Sequence, residues 1–305
     1  MKLVTYENAG QMVPGLLLEG EVADTRAVAE MAGWLAIDVA ALRSNRDVLG
    51  YGMAKINELT SVAQENLSQL RKSGAAFAVS STRFGPPVPD PEKIICIGLN
   101  YHDHAEELGI APPDAPIFFA KYANSLAGPA DDILPPAHTD KLDYEAELAV
   151  VIGRRGRSIS KDEALDYVAG AMVLNDVSAR DLQMANQLWT GGKAIDTFAP
   201  CGPALVLGEA MGDLQNLGVQ TRVNGDLLQD GTTAKLIFSV AEIIAFLSRI
   251  MTLEVGDIIA TGTPAGVAAA HTPPRFLKEG DVVETCVEGV GCLRNTVGPA
   301  WGAPD

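Results

Sequence analysis

Apolar and polar positions alternate along this chain in short stretches, and the texture changes once. Residues 1–20 read as two short strands, LVTYE and LLLEG, around a turn at 8–10. Residues 22–43 carry Ala, Val and Leu at helical spacing. Residues 54–72 continue in that style, with Ser61 and Gln64 placed as a capping box ahead of an amphipathic helix. From Phe84 the sequence runs FGPPVPDP, and its four prolines in six residues permit neither a helix nor a central strand. That stiff segment divides the chain into a small N-terminal domain (1–84), a Pro-rich connection (85–92) and a larger domain (93–305).

Beyond the connection the pattern is dominated by strands. KIICIGL at 93–99, PIFFAK at 116–121, YEAELAVVI at 144–152 and AGAMVLNDV at 169–177 are strand-like, as are residues 257–261 and 281–297. Residues 101–109 form a short polar helix. Asn224-Gly225 marks a hairpin turn. Ser239 caps a helix running to Arg249, with Glu242 completing the box. Short strands outnumber helices without alternating with them, which argues against a doubly wound sheet or a TIM barrel. The expected class is α+β, mainly β: a mixed β-sandwich or roll with peripheral helices.

Composition narrows the partners. The 305 residues hold 39 acidic against 23 basic side chains, a net charge of −16. Nucleic-acid binding needs clustered Lys and Arg, and an anionic membrane surface would repel this chain. The N-terminus, MKLVTYENAG, lacks the apolar stretch of a secretory signal, and no apolar run approaches the roughly 18 residues of a membrane span. Cys96, Cys201, Cys286 and Cys292 form no CxxC pair, so the expectation is four buried or free thiols, no structural disulfide and a cytoplasmic protein.

Candidate chemistry begins at DYEAELAVVIG, 143–153. On a strand, Tyr144, Ala146, Leu148, Val150 and Ile152 share one apolar face, while Glu145 and Glu147 share the other with Ala149 and Val151. Two such carboxylates lie roughly 7 Å apart at Cα. They are either a solvated pair on an exposed face or, if buried, a pair that needs a proton, a basic partner or a metal. Asp176, ending another apolar strand, would bring a third carboxylate. A set of oxygen donors without Cys or His suits Mg²⁺, Mn²⁺ or Ca²⁺ rather than Zn²⁺.

His104 and Glu107 stand at i and i+3, on one helix face, where a carboxylate can orient an imidazole to act as a general base on water. An exposed surface pair is the plainer alternative, His102 is a competing base, and His138 and His271 read as solvated loop residues. TGGK at 190–193 lacks the glycine spacing and the Ser or Thr of a P-loop, so nucleotide binding is rejected. Lys193 could instead hold an anionic substrate group. The turn TGTPAG at 261–266 offers backbone N–H groups and hydroxyls to an oxyanion.

Taken in order, IGLNYHDHAEELG, PIFFAK, DYEAELAVVIG, NDVSARDLQ, GGKAIDTFAPCGP, VNG and IATGTPAGV resemble the fumarylacetoacetate hydrolase family from about residue 93 to about 297. The resemblance is to the bacterial-type acylpyruvase and hydroxyheptadienedioate isomerase branch, which has a small N-terminal domain. It implies one Mg²⁺ or Mn²⁺ per subunit on Glu145, Glu147 and Asp176. It also implies a water-activating dyad of His104 and Glu107 on a lid, a catalytic Lys193, substrate contacts at Arg180, Gln183, Gly262 and Thr263, and a homodimer. The implied activity is metal-dependent hydrolysis of a C–C bond in a 2,4-dioxo acid of acylpyruvate or fumarylpyruvate type, through an enolate held at the metal, in catabolism of aromatic or sugar-derived acids. Isomerisation of a 2-hydroxyhepta-2,4-diene-1,7-dioate type substrate and oxaloacetate decarboxylation are the alternatives. A non-catalytic metal-binding protein is the contrasting class.

Overall fold

The structure is a computed structural model that describes residues 1–302. Its centre is a large mixed sheet. From one edge to the other the strands run Ala76–Ala78, Glu21–Asp24, Gln11–Leu18, Lys2–Asn8, Ala199–Leu207, Val168–Asn175, Ala146–Ile152, Ile258–Ala260, Ile94–Gly98 and Ile117–Lys121. Neighbours are antiparallel except Ile258–Ala260, which runs parallel to Ile94–Gly98. A second sheet orders Asp226–Thr232, Gly218–Val223, Val282–Val287 and Gly291–Thr296. The chain is therefore the expected strand-rich α+β fold.

Both faces of the central strands are covered. Ala146, Leu148, Val150 and Ile152 pack with Val219, Val287 and Leu293 of the second sheet and with Ile243 and Leu247 of the Val240–Ile250 helix. Ala149 and Val151 point the other way, into a core shared with Leu42, Val48 and Ile56 of the N-terminal helices. The Lys2–Asn8 strand hydrogen-bonds directly to Ala199–Leu207, so the N-terminal strands extend the same sheet. A strand buried on both faces reads as a continuous apolar run, and the Ala146–Ile152 strand is buried throughout.

Several local expectations hold. Ser239 caps the Val240–Ile250 helix in a reciprocal box with Glu242. Asn224 and Gly225, at φ 52° and 90°, close the hairpin between Gly218–Val223 and Asp226–Thr232, the left-handed pair that matches strand twist. Others are corrected. Residues 21–24 pair as a strand with Gln11–Leu18, and only then do the short helices Thr25–Met31 and Ala36–Ala41 follow. Ser61 lies inside the Met53–Glu65 helix rather than at its cap, because the chain enters that helix at Gly52 and breaks at Asn66. Residues 281–297 are two strands of a hairpin. Its register sets Cys286 opposite Cys292, with Cα atoms 4.1 Å apart, and the two form a disulfide. That overturns the expectation of four free thiols: a six-residue separation across a tight turn makes a cross-strand pair without any CxxC signal. Cys96 and Cys201 are free and buried as expected. Among the described residues no helix is long and apolar enough to cross a membrane.

Candidate metal centre and active site

The Ala146–Ile152 and Val168–Asn175 strands are antiparallel neighbours with Ala146 opposite Asn175. The start of one and the end of the other therefore coincide. Glu145 and Glu147 come to that point from one strand and Asp176 from the other, tied by the Asp176 amide donating to the Glu145 carbonyl at 2.9 Å and the Glu145 amide donating to the Asn175 side chain at 3.0 Å. Ligand atoms of the three carboxylates all lie within 4.8 Å of one another. Glu147 is 1% exposed and Glu145 6%, which removes the reading of a solvated pair. Their face does carry Ala149 and Val151, as the alternation requires, but it is an interior face.

Buried carboxylates this close need opposing charge. The Lys193 ammonium bridges Glu145 Oε2 and Asp176 Oδ2, at 2.7 Å to each. Lys121, wholly buried, donates to Asp176 Oδ1 at 2.6 Å and to the Val177 carbonyl at 3.2 Å. Arg180 pairs with Glu145 Oε1 at 2.6 Å and donates to Asp143 Oδ2 at 2.8 Å and to Gln183 Oε1 at 3.0 Å. Burial pushes the Glu145 carboxyl up, but Lys193 and Arg180 outweigh it and bring the pKa to about 2. Burial likewise opposes the charge on Lys193, yet Asp176 and Glu145 hold its pKa above the ordinary lysine value.

Glu147 is the exception. Its hydrogen bond is from the Gly262 amide, at 2.7 Å. Burial, then the charges of Asp176 and Glu145, raise its pKa well above the carboxylate range. Four carboxylates (143, 145, 147 and 176) face three cations (121, 180 and 193), which leaves Glu147 with no cation of its own and favours a proton on it. A divalent cation could take that proton's place, and an all-carboxylate donor set suits a hard, oxygen-preferring ion.

The His102–Glu107 helix stands over this cluster. His104 is 7% exposed and His102 is exposed, so the competing base is set aside. His104 Nδ1 lies 3.0 Å from Glu107 Oε2. A carboxylate accepts only, so Nδ1 carries the hydrogen, and in the neutral ring the lone pair is on Nε2. His104 is near enough that an imidazolium there would help to keep Glu145 ionised.

The remaining sites expected from sequence are placed as follows. The guanidinium of Arg180 is engaged with Asp143, Glu145 and Gln183. The Gly262 amide is taken by Glu147, so it is not free for a substrate oxyanion. Thr263 Oγ1 accepts from Gln229 Nε2 at 2.8 Å, which leaves its own hydrogen to donate. His271, expected to be solvated, is half-buried with Nε2 3.3 Å from the Gly266 carbonyl. Sequence reading assigned nothing to Lys121, Asp143 or Gln229. A lysine ending PIFFAK looks like an ordinary strand terminus, and only burial beside Asp176 marks it.

The family model described as fumarylacetoacetate (FAA) hydrolase C-terminal matches residues 93–298. The chain belongs to this family. Among curated relatives, the mitochondrial oxaloacetate tautomerase of Xenopus laevis is 39% identical over 303 residues, covering 97% of this chain and 90% of that protein. Oxaloacetate tautomerase YisK of Bacillus subtilis is 45% identical over 226 residues, covering 73% of this chain and 75% of its own. Among solved structures, a putative HpcE protein from Mycobacterium smegmatis superposes with a TM-score of 0.80 at 32% identity, covering 98% of this chain and 99% of that one. Family membership makes this an enzyme fold whose acidic triad is placed for a divalent metal.

Proposed function

We propose that the chain is a divalent-metal-dependent enzyme that interconverts the enol and keto forms of a 2-oxo acid of the oxaloacetate class. The observation that carries the chemistry is the buried His104, held by the more exposed Glu107, beside the Glu145, Glu147 and Asp176 cluster. The substrate class rests on the tautomerase relative that aligns along nearly the whole chain.

Tautomerisation moves one proton off C3 and places one on the C2 oxygen, or the reverse. His104 Nε2 is the base for C3, and Glu107 stabilises the imidazolium that results. Two of the three Lys193 N–H bonds go to Glu145 and Asp176, and the third is available to an anionic substrate oxygen. A divalent cation held by Glu145, Glu147 and Asp176 would supply positive charge where the enolate oxygen gathers its negative charge. With that cation the cluster carries one net positive charge, which favours an anionic substrate.

Hydrolysis of an acylpyruvate is the second reading, favoured by the same dyad, since His104 could equally deprotonate an attacking water. Supplying enol-oxaloacetate, oxaloacetate, an acylpyruvate and a hydroxymuconate-type diacid to the Mg²⁺-loaded protein separates them. Enol loss well above the buffer rate, with slow acylpyruvate cleavage, is the expected result. A larger kcat/KM for acylpyruvate cleavage would replace tautomerisation by hydrolysis. The expected assembly is a homodimer acting on a small molecule, with neither nucleic acid nor membrane as partner, and light scattering on the purified protein tests the dimer.

A further inference from the structure

The largely buried 261–267 turn leaves the Ile258–Ala260 strand and runs from Glu147 to Glu107. It returns two amides to two different carboxylates. The Gly262 N–H donates to Glu147 at 2.7 Å, and the Gly266 N–H donates to Glu107 Oε1 at 2.9 Å. Glu107 is therefore gripped from both sides, by His104 on one oxygen and by the Gly266 peptide on the other.

The turn is itself fastened from behind. Near its start, the Asn100 side chain donates to the Thr261 carbonyl at 2.8 Å, and the Thr261 hydroxyl donates to the Leu148 carbonyl at 2.9 Å. In the middle, the wholly buried Gln229 donates to Thr263 Oγ1 and to the Pro264 carbonyl, and accepts from the Ala146 amide and the Thr221 hydroxyl. At the far end, the Gly266 carbonyl accepts from the Tyr144 hydroxyl at 3.0 Å. His271 Nε2 lies 3.3 Å from the same oxygen, and since a carbonyl only accepts, that nitrogen carries the hydrogen. Gly266 has φ of 102°, and a Cβ there would collide with the Leu228 carbonyl. The peptide is thus pressed onto the Asp226–Thr232 strand in a conformation that favours glycine.

We propose that Tyr144 and His271 are positioning residues: they hold the Gly266 carbonyl on one side of a Cα that is packed against the Leu228 carbonyl, so that the N–H on the other side of that Cα stays aimed at Glu107 and sets the orientation of the His104 base. Neither side chain makes a hydrogen bond to His104 or Glu107. The path is Tyr144 or His271 to the Gly266 carbonyl, through the Gly266 Cα to its N–H, then Glu107, then His104. The end of the turn that serves Glu147 has its own fastenings at Asn100 and Gln229, so loosening the Gly266 end should leave the metal carboxylates in place.

The test uses the full chain with Tyr144→Phe, His271→Ala, the double variant and His271→Gln, which retains a donor. Metal-free protein is read by hydrogen exchange over 101–109 and 261–267 and by Mn²⁺ titration calorimetry. Metal-loaded protein is read by kcat and KM. Expected are faster exchange in both segments for Tyr144→Phe and the double variant, and a Mn²⁺ affinity within twofold of wild type. Expected too are an unchanged KM, a kcat lowered about fivefold for each lost hydrogen bond, and partial recovery in His271→Gln. Faster exchange confined to 261–267, with 101–109 as in wild type, would overturn the proposal. So would equal losses in kcat and in metal affinity, the mark of a merely structural role. The kinetic arm rests on the proton transfer proposed above, whereas the exchange arm is independent of it, so the two failures are distinguishable.

Discussion

The carboxylate cluster and the helix that carries His104 meet in one site, yet they are built by opposite means. Glu145, Glu147 and Asp176 sit at the coincident ends of two central strands, inside a sheet covered on both faces, with Lys121, Lys193 and Arg180 beside them. The His102–Glu107 helix is six residues long and buries only His104 and Ala105. Leu108 and Ile110 after it are exposed. Its side chains are tied to the rest of the molecule by an exposed Lys235–Asp103 pair, at 3.0 Å, and by the Gly266 amide on Glu107. Exposed pairs contribute little to stability, and short segments with few apolar contacts open locally at low cost. On the proposed function, the part that would hold a divalent cation in fixed geometry is anchored in the core, and the part that would move a proton is attached lightly.

That contrast predicts different consequences for removing a side chain. Asp176→Ala leaves Lys121 and Lys193 facing each other with too few anions, so it should destabilise the fold by about 3–5 kcal/mol, the usual cost of breaking a buried pair. Urea unfolding measures it. A loss under 1 kcal/mol would show that the cluster is far more hydrated than its burial indicates. EDTA should remove activity, and Mg²⁺ or Mn²⁺ should restore it; full activity in metal-free protein would eliminate the metal role of the triad.

On the other side of the contrast, His104→Ala should cost roughly 10²-fold or more in kcat, the range of a lost general base, while melting temperature and metal affinity stay near wild type. Equal damage to stability and turnover would erase the distinction between the two regions.

A third consequence concerns pH. Glu147 has its pKa raised well above the carboxylate range by burial and by Asp176 and Glu145. In metal-free protein its contribution is fully present below the unfolded pKa and is lost as pH rises through the folded one. A metal ion must displace that same proton. Mn²⁺ affinity should therefore tighten as pH rises through the raised pKa, with proton release visible by calorimetry in buffers of different ionisation enthalpy. A pH-independent affinity would place the proton elsewhere.

The smallest effect is a control remote from both regions. Ser239→Ala removes the cap of the Val240–Ile250 helix and should cost about 1 kcal/mol, a fall of about 2–4 °C in Tm, without altering kcat.

Much of the site was legible because its residues fall in ordered motifs and because strand alternation is local. Glu145 and Glu147 had to share a face, and His104 and Glu107 had to share a helix face. What alternation does not contain is which face meets solvent. Ala149 and Val151 belong to a core that also holds Leu42, Val48 and Ile56 from far earlier in the chain, so the face that carries Glu145 and Glu147 is an interior one. The same limit explains the 261–266 turn. Its free amides suggested an oxyanion site, but the partner that takes the Gly262 amide lies on a strand 115 residues away. Cys286 and Cys292 show it at short range, since pairing depends on hairpin register rather than spacing alone.

By itself the amino-acid sequence determined the strand-rich class, the Asn224-Gly225 hairpin, the Ser239 cap and the family motifs that bring three carboxylates, a lysine and a His–Glu pair into one chain. Each of these depends on dihedral preference, side-chain periodicity or motif order, which neighbouring residues settle. Only the tertiary structure decided that Lys121, Asp143 and Gln229 belong to the site, that Arg180 is spent on Asp143 and Glu145, and that Glu147 alone lacks a cation. Those are questions of charge balance and desolvation in a closed volume, and they have no answer until distant strands have been packed around it.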